Sequence, residues 1–435
     1  MKFRKETEFQ KTRIGEIPKE WKLEKLGRLV SYIKGRRPKR LYDEKLSEEF
    51  IPYLTAEYMR GLEKPKWCSL KEDPKVIRVQ YDDVIMIWDG SYSGHVFTGF
   101  EGVLASTMIK IFPSEEIDKR FLYYYLTKNF QKLRGTTVGT GIPHVNKKVF
   151  EELLIPLPSL NEQKRIAEIL LRVDNAIEGA DKAIVKLERL KRGLMSELLT
   201  GRIRVKEENG RLSFYRETEL QETEIGKIPK EWGLAKLEKI AKIITGPFGS
   251  QLKKSELTNH GIKVYTQENV LERNFEIGNL YISEEKFKEL KNFEVMPDDV
   301  LLTIRGTIGK SIKVPTSITK GIIHTNLAII RLEKKEVLPD FVELVFNESE
   351  IWMEQVRRMY SATTIPALYG RTLKQIKIML PPLNEQKAIT HIFSTVNRAI
   401  ELYREEMTRL ERLKRGLMDL LLTGKVRVVD GDVGS

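Results

Sequence analysis

Apolar positions recur at alternating spacings of four and three along two stretches of the chain. The first carries Ile166, Leu170, Val173, Ile177, Ala180, Ile184, Leu187, Leu194 and Leu198. The second carries Ile389, Phe393, Val396, Ile400, Tyr403, Met407, Leu410, Leu417 and Leu421. Heptad spacing sustained this long predicts two long helices, each with one stripe to bury. Asn161 and Asn384, followed by Glu and Gln, suit the N-cap positions. Thr200-Gly201 and Thr423-Gly424 suit helix ends with a glycine just beyond. Each helix is then about 40 residues, or about 60 Å long. Lys191 and Lys414 interrupt the stripes at equivalent places. Stems that snorkel near a helix end fit this better than a register or partner-binding feature. Two such helices bury their stripes against each other. The chain leaves along the first and returns along the second, which predicts an antiparallel pair. The globular regions would then lie at opposite ends, about a pseudo-twofold axis.

The chain is a duplication. TEFQKTRIGEIPKEW (Thr7 to Trp21) returns as TELQETEIGKIPKEW (Thr218 to Trp232), 211 residues on. LERLKRGLMSELLTGRIRV (Leu187 to Val205) returns as LERLKRGLMDLLLTGKVRV (Leu410 to Val428), identical at 15 of 19 positions and 223 residues on. PSLNEQKRI (Pro158 to Ile166) and PPLNEQKAI (Pro381 to Ile389) keep the second offset. Chance identity runs near one in twenty, so a repeat is the economical reading. Between these anchors, residues 22–156 and 233–379 share little, and the change of offset places twelve more residues in the second region. TGIPH (Thr140 to His144) against TTIPA (Thr363 to Ala367) is a partial match. The order is a repeated start, a variable region and a repeated helix, then the same again. The predicted domains are 1–156, a helix at 157–206, 207–379, and a second helix at 380–429.

Both variable regions mix β-rich runs with short helices, so the class is α+β: two similar domains joined by two long helices forming an antiparallel coiled coil. VIMIWDG (Val84 to Gly90) and VLLTIRG (Val300 to Gly306) read as equivalent strands ending at glycine turns. FLYYYLTKNF (Phe121 to Phe130) and FVELVFNESEIWMEQV (Phe341 to Val356) read as helices.

Charge changes the picture next. The 435 residues carry a formal net charge of +13, with 31% charged and 41% hydrophobic. That excess favours a polyanionic partner, most simply nucleic acid. Lys34, Arg36, Arg37, Lys39 and Arg40 crowd KGRRPKR, and the counterpart GPFGSQLKK offers Ser250, Gln251, Lys253 and Lys254. Such loops suit phosphate contacts and base-edge hydrogen bonds. Trp88, Tyr92 and His95 in WDGSYSGH either face a groove or form a turn with packed aromatics. Arg305, Thr307 and Lys310 in the matching RGTIGK stretch are open to the same two readings.

Other chemistries find little support. Cys68 is the only cysteine, and the five histidines never fall at helical ligand spacing, so no metal site is expected. The amino terminus, MKFRKETEF, has no apolar h-region. No apolar run approaches the ~20 residues that span a bilayer. A soluble, cytoplasmic protein is expected. GTIGKS (Gly306 to Ser311) resembles the end of a phosphate-binding loop, but its first glycine would have to stand at Ile304. Pro297-Asp298 with Glu333-Lys334-Lys335 only loosely mimics a nuclease pattern. No Gly-rich dinucleotide or methyl-donor loop occurs, and Pro381-Pro382 lies between leucines, unlike the tetrapeptide of amino-methyltransferases.

The repeated G-x-I-P-x-x-W, P-x-L-N-E-Q-K and L-K-R-G-L-M…L-L-T-G-[KR]-[IV]-R-V motifs, in this layout, resemble the DNA specificity subunit of type I restriction-modification systems. The resemblance covers nearly the whole chain. It implies that each variable region is a target-recognition domain reading half of a split site in double-stranded DNA. It implies that the helices space these domains and dock methyltransferase (modification) subunits, with a motor-nuclease (restriction) subunit joining for cleavage. S-adenosylmethionine, ATP and magnesium would sit on those partners, with no cofactor and no catalysis in this chain. The other reading is a two-headed DNA-binding regulator without an enzyme partner.

Overall fold

The structure, a computed structural model, describes residues 2–134, 143–208, 210–333, 335–360 and 367–429. The expected helices run Leu160–Leu198 and Leu383–Leu421, 39 residues each. Two compact units divide the chain, and the division falls inside both helices: Met1–Asp181 with Arg404–Ser435, and Lys182–Tyr403. Each unit therefore contains a piece of each helix. Among the described residues, no helix is long and apolar enough to cross a membrane.

In the first unit the two pieces run antiparallel. Asp174 lies 2.6 Å from Lys414, while Glu162, twelve residues earlier, lies 2.7 Å from Arg427, beyond the end of the second helix. In the second unit Leu194 and Met195 pack on the core that holds Ile389 and Phe393, and Arg204 reaches back to Glu385. The stripe is buried at Ile166, Leu170, Ile389, Phe393, Ile400 and Leu421.

Three details differ from the sequence reading. The helices begin one residue before the asparagines, so Asn161 and Asn384 lie in the first turn. The cap on the first helix is the Ser159 hydroxyl, which accepts from the Glu162 N–H at 3.3 Å. Tyr403 is 42% exposed. A straight helix drifts by about 20° per heptad against a 3.5 repeat, which carries a mid-helix position off the seam, and a phenol tolerates water there. Lys191 and Lys414 do not snorkel freely. Lys414 pairs with Asp174, which also accepts from the Tyr124 hydroxyl at 2.7 Å, and Lys191 pairs with Glu348 at 2.5 Å. A partner carboxylate offsets the cost of partly burying each ammonium.

The first unit's main sheet is antiparallel, ordered Val96–Phe97, Val84–Ile87, Met108–Pro113, Val30–Lys34. The second unit's main sheet is Ser311–Lys313, Val300–Thr303, Leu327–Leu332, Ala241–Thr245, in the same order and sense. VIMI and VLLT therefore occupy equivalent central strands, fully buried as their unbroken apolar runs require. A smaller sheet accompanies each. In the first unit Phe50–Leu54 pairs in parallel with Gly102–Leu104; in the second Ile262–Tyr265 pairs in parallel with Gly321–Ile323. The helices Lys119–Lys128 and Pro339–Glu348 bury Phe121 and Phe341 on the main sheets.

The repeated motifs converge on one buried joint in each unit. In the first, Glu162 of LNEQ takes the Arg427 guanidinium through both oxygens, at 2.7 and 2.8 Å, and accepts from the Val428 N–H and the Trp21 indole. Glu6 takes the other face of the guanidinium at 2.8 Å. In the second, Glu385 holds Arg204, the Val205 N–H and the Trp232 indole, and Glu217 completes the set at 2.6 Å. Gln163 and Gln386 hold the neighbouring turns, accepting from Asp118 N–H and Leu338 N–H. Gly201 and Gly424 adopt φ +72°, and a Cβ at either would stand 2.4 Å from the proline of the I-P-x-x-W motif, Pro229 or Pro18. Buried charge and left-handed backbone leave these positions little freedom. Burial pushes the Glu6 carboxyl up, but the Glu8 N–H, Arg427 and the Thr7 N–H outweigh it and hold the group at about 2.

The strands beside each joint match as well. In the second unit Ile203–Glu208 and Arg211–Arg216 form a hairpin. In the first unit the same ladder is made by Val426–Val429 with Lys2–Lys5, segments from the two ends of the chain. Lys5 opposite Val426 repeats Arg216 opposite Ile203.

Candidate nucleic-acid interface

In the first unit's main sheet Lys34 pairs with Ile109, and Met108 pairs with Ile87. The segments that follow Lys34, precede Met108 and follow Ile87 therefore leave one end of the sheet together. Gly35 permits this: a Cβ there would lie 2.1 Å from the Ala105 carbonyl oxygen. Asp89 bridges to His144, and Gly90 N–H donates to the Pro143 carbonyl at 2.7 Å, which adds a fourth segment.

The second unit repeats the construction. Thr245 pairs with Ala328, and Thr303 with Leu327. Gly246 crosses with its virtual Cβ 2.2 Å from the His324 carbonyl oxygen. Arg305 bridges to Ala367, and Leu368 N–H donates to the Ile304 carbonyl at 2.8 Å. Of the partial match between TGIPH and TTIPA, 140–142 and 363–366 lie outside the described residues. His144 and Ala367 are described and are equivalent.

The sequence-predicted residues sort by environment. Arg36, Arg37, Lys39 and Arg40 are exposed, and none forms an ion pair among the described residues. Ser250, Gln251, Lys253, Lys254, Thr307 and Lys310 are exposed and Arg305 is half-buried; Lys254, Arg305 and Lys310 form no ion pair among the described residues, while the Glu256 carboxylate lies beside Lys253 and accepts from its N–H at 2.6 Å. Lys34 is different: its ammonium lies 2.7 Å from Asp89, in an ion pair at the surface. Gln251 is also partly engaged, its carbonyl accepting from the Phe248 N–H at 2.9 Å. Tyr92 and His95 belong to a packed turn. Both His95 N–H and ring Nδ1 meet the Tyr92 carbonyl, at 3.1 and 2.9 Å, and the His95 ring lies tilted against Phe130, centroids 3.9 Å apart. Trp88 stacks on Tyr32 and meets Phe150 edge-on. These aromatics pack within the turn, and Tyr92 and His95 remain half-exposed.

Some residues at these edges escaped the sequence reading. Arg60 lays its guanidinium 3.4 Å over the Tyr92 ring; it lies in the unrepeated region, where nothing in the pattern marked it. His324, Thr325 and Asn326 form the central loop of the second edge, and burial with the nearby Arg305 charge lowers the His324 pKa. Phe248 and Tyr369, both strongly exposed, stand on the same edge. Phe248 was visible in GPFGSQLKK as an apolar residue outside any strand period. Among the described residues, no group of three His, Cys, Asp or Glu side chains forms a metal cage.

Two like units, each gathering four adjoining segments at one end of its main sheet, define a duplicated α+β class on repeated helices. The type I restriction modification DNA specificity domain matches residues 18–189 and again 229–412. The chain is 33% identical to the type I restriction enzyme MjaVIII specificity subunit of Methanocaldococcus jannaschii, over 98% of both chains. It is 23% identical to the EcoBI specificity subunit of Escherichia coli, over 81% of this chain and 75% of that one. In fold it is similar to the type I restriction-modification S subunit of M. genitalium, with a TM-score of 0.57 at 17% identity, covering 92% and 96% of the two chains. The chain belongs to the type I restriction-modification DNA specificity family, whose members are non-catalytic specificity subunits.

Proposed function

We propose that each unit reads one half of a split, asymmetric site in double-stranded DNA, and that the long helices fix the gap and carry methyltransferase subunits. One observation carries the reading. The same sheet end in both units gathers cations that the described fold leaves unpaired, on loops that differ between the units. Unpaired cations suit phosphates, and unlike loops suit unlike base sequences. Half-sites read on one face would lie about one helical turn apart, about 10 bp. S-adenosylmethionine, ATP and magnesium would be bound by the partner subunits, a motor-nuclease subunit would join for cleavage, and the assembly would work in the cytoplasm.

Methylome sequencing of a host carrying the system tests this. The expected result is a methylated motif of two unrelated halves separated by unread bases. Replacing residues 22–156 with another recognition region should change one half and leave the other. An uninterrupted palindrome, or a swap that alters both halves, would overturn the modular reading. A two-headed regulator would leave no methylated motif.

A further inference from the structure

The two recognition edges are built alike but carry different chemistry at two equivalent positions. Two residues past the crossing glycine, the first unit has Arg37 and the second Phe248. At the start of the helix that follows the fourth segment, the first unit has Asn146 and the second Tyr369. Asn146 does ordinary local work, accepting from the Lys148 and Val149 N–H groups as an N-cap. Tyr369 stands at the same place, before Gly370–Gln375, and makes no side-chain cap. A tyrosine there forgoes the usual cap, and its ring is 58% exposed.

Phe248 is 68% exposed, so burial does not explain it either. Its backbone is nonetheless fixed. The Gln251 side chain accepts from its N–H, and its carbonyl accepts from the Gln251 and Leu252 N–H groups. The two residues stand on adjoining segments: a Cβ on Gly370, next to Tyr369, would touch the Thr245 side chain at 3.1 Å, and Thr245 immediately precedes Gly246-Pro247-Phe248. On the same edge stand Lys254, Arg305 and Lys310, which form no ion pair among the described residues, and Lys253, beside the Glu256 carboxylate that accepts from its N–H. A held, exposed ring set among unpaired cations matches what a charged polymer with flat apolar faces inside requires.

We propose that Phe248 is an apolar wedge that enters a base step of the second half-site, with Tyr369 packing beside it. The second unit thus reads DNA partly by apolar contact and deformability, where the first relies on cationic side chains. This rests on the DNA-reading function proposed above.

The test is selection from a randomised duplex library by the full chain, wild type against Phe248→Ala, Tyr369→Ala and Phe248→Leu. Wild type should enrich a split motif. Phe248→Ala should flatten the preference at one or two adjacent positions of one half-site and weaken binding to the selected duplex by about tenfold. The slope of affinity against salt should stay unchanged, because no charge is removed. Phe248→Leu should retain part of the preference, and Tyr369→Ala should act on neighbouring positions of the same half. Unchanged melting temperatures would separate these effects from misfolding. If both alanine variants enrich the full wild-type motif with wild-type affinity, the wedge is wrong and the rings belong to a protein contact. If wild type itself enriches nothing, the DNA-reading function falls with it.

Discussion

The two joints and the two recognition edges occupy equivalent places in equivalent units, yet one pair is nearly identical and the other is not. At the joints, Glu162 with Arg427 and Glu385 with Arg204 repeat almost atom for atom, down to the indole that donates to the same carboxylate. At the edges, Asp89 in one unit becomes Arg305 in the other, Arg37 becomes Phe248, and Asn146 becomes Tyr369. The difference teaches where the freedom to vary lies. A buried guanidinium with two buried carboxylates accepts no substitute without leaving charge unpaired, whereas a side chain aimed at solvent is constrained only by what it must bind.

The sharpest way to break the comparison is at the charges. Arg427→Ala leaves Glu162 and Glu6 buried without their cation and should cost about 3–5 kcal/mol, read by chemical denaturation. Arg204→Ala should cost the second unit a similar amount, and a loss confined to one joint would show that the two are not equivalent. Gly424→Ala should cost about 1–3 kcal/mol, because it meets both a positive φ and the Pro18 ring. Gly416→Ala, in the same helix with open space around it, is the control for melting temperature.

At the edges stability should barely move while binding does. Neutralising Arg36, Arg37, Lys39 and Arg40 to glutamine should weaken binding to all DNA sequences alike. The salt slope should become shallower by about one unit for each phosphate the loop no longer neutralises, as fluorescence anisotropy would measure. A sequence-selective loss instead would make this loop a base reader.

The smallest effect concerns acid. The Glu6 pKa falls from 4.5 unfolded to about 2 folded. Its contribution is therefore complete above about 4.5 and is lost as pH falls towards 2. Glu6→Gln should be less stable at neutral pH, and its stability should decline less across that acid range. Parallel acid titrations of the two proteins would contradict the assignment.

Much of the framework was legible from periodicity and repetition alone. The long helices, their antiparallel sense and the pairing of VIMI with VLLT all follow from patterns local in sequence. What stayed hidden depends on groups far apart along the chain. Nothing local announces that Lys34 is spent on Asp89, or that Arg60 covers Tyr92. The purpose of the repeated glutamate was equally concealed, since its arginine lies 265 residues away. The asparagine after the leucine looked like a cap because its side chain suits one, but Ser159 stood closer to the true start.

The ladder between Lys2–Lys5 and Val426–Val429 joins the two ends of the chain. In the second unit the equivalent strands form one hairpin that turns near Gly210. One joint holds its two strands with a covalent turn; its twin holds the same strands by hydrogen bonds, an ion pair and the burial of Val428 in the core. Peptide continuity is thus optional at that point in the architecture. A chain opened at Gly210 and joined between residues 429 and 2 should therefore still form both joints.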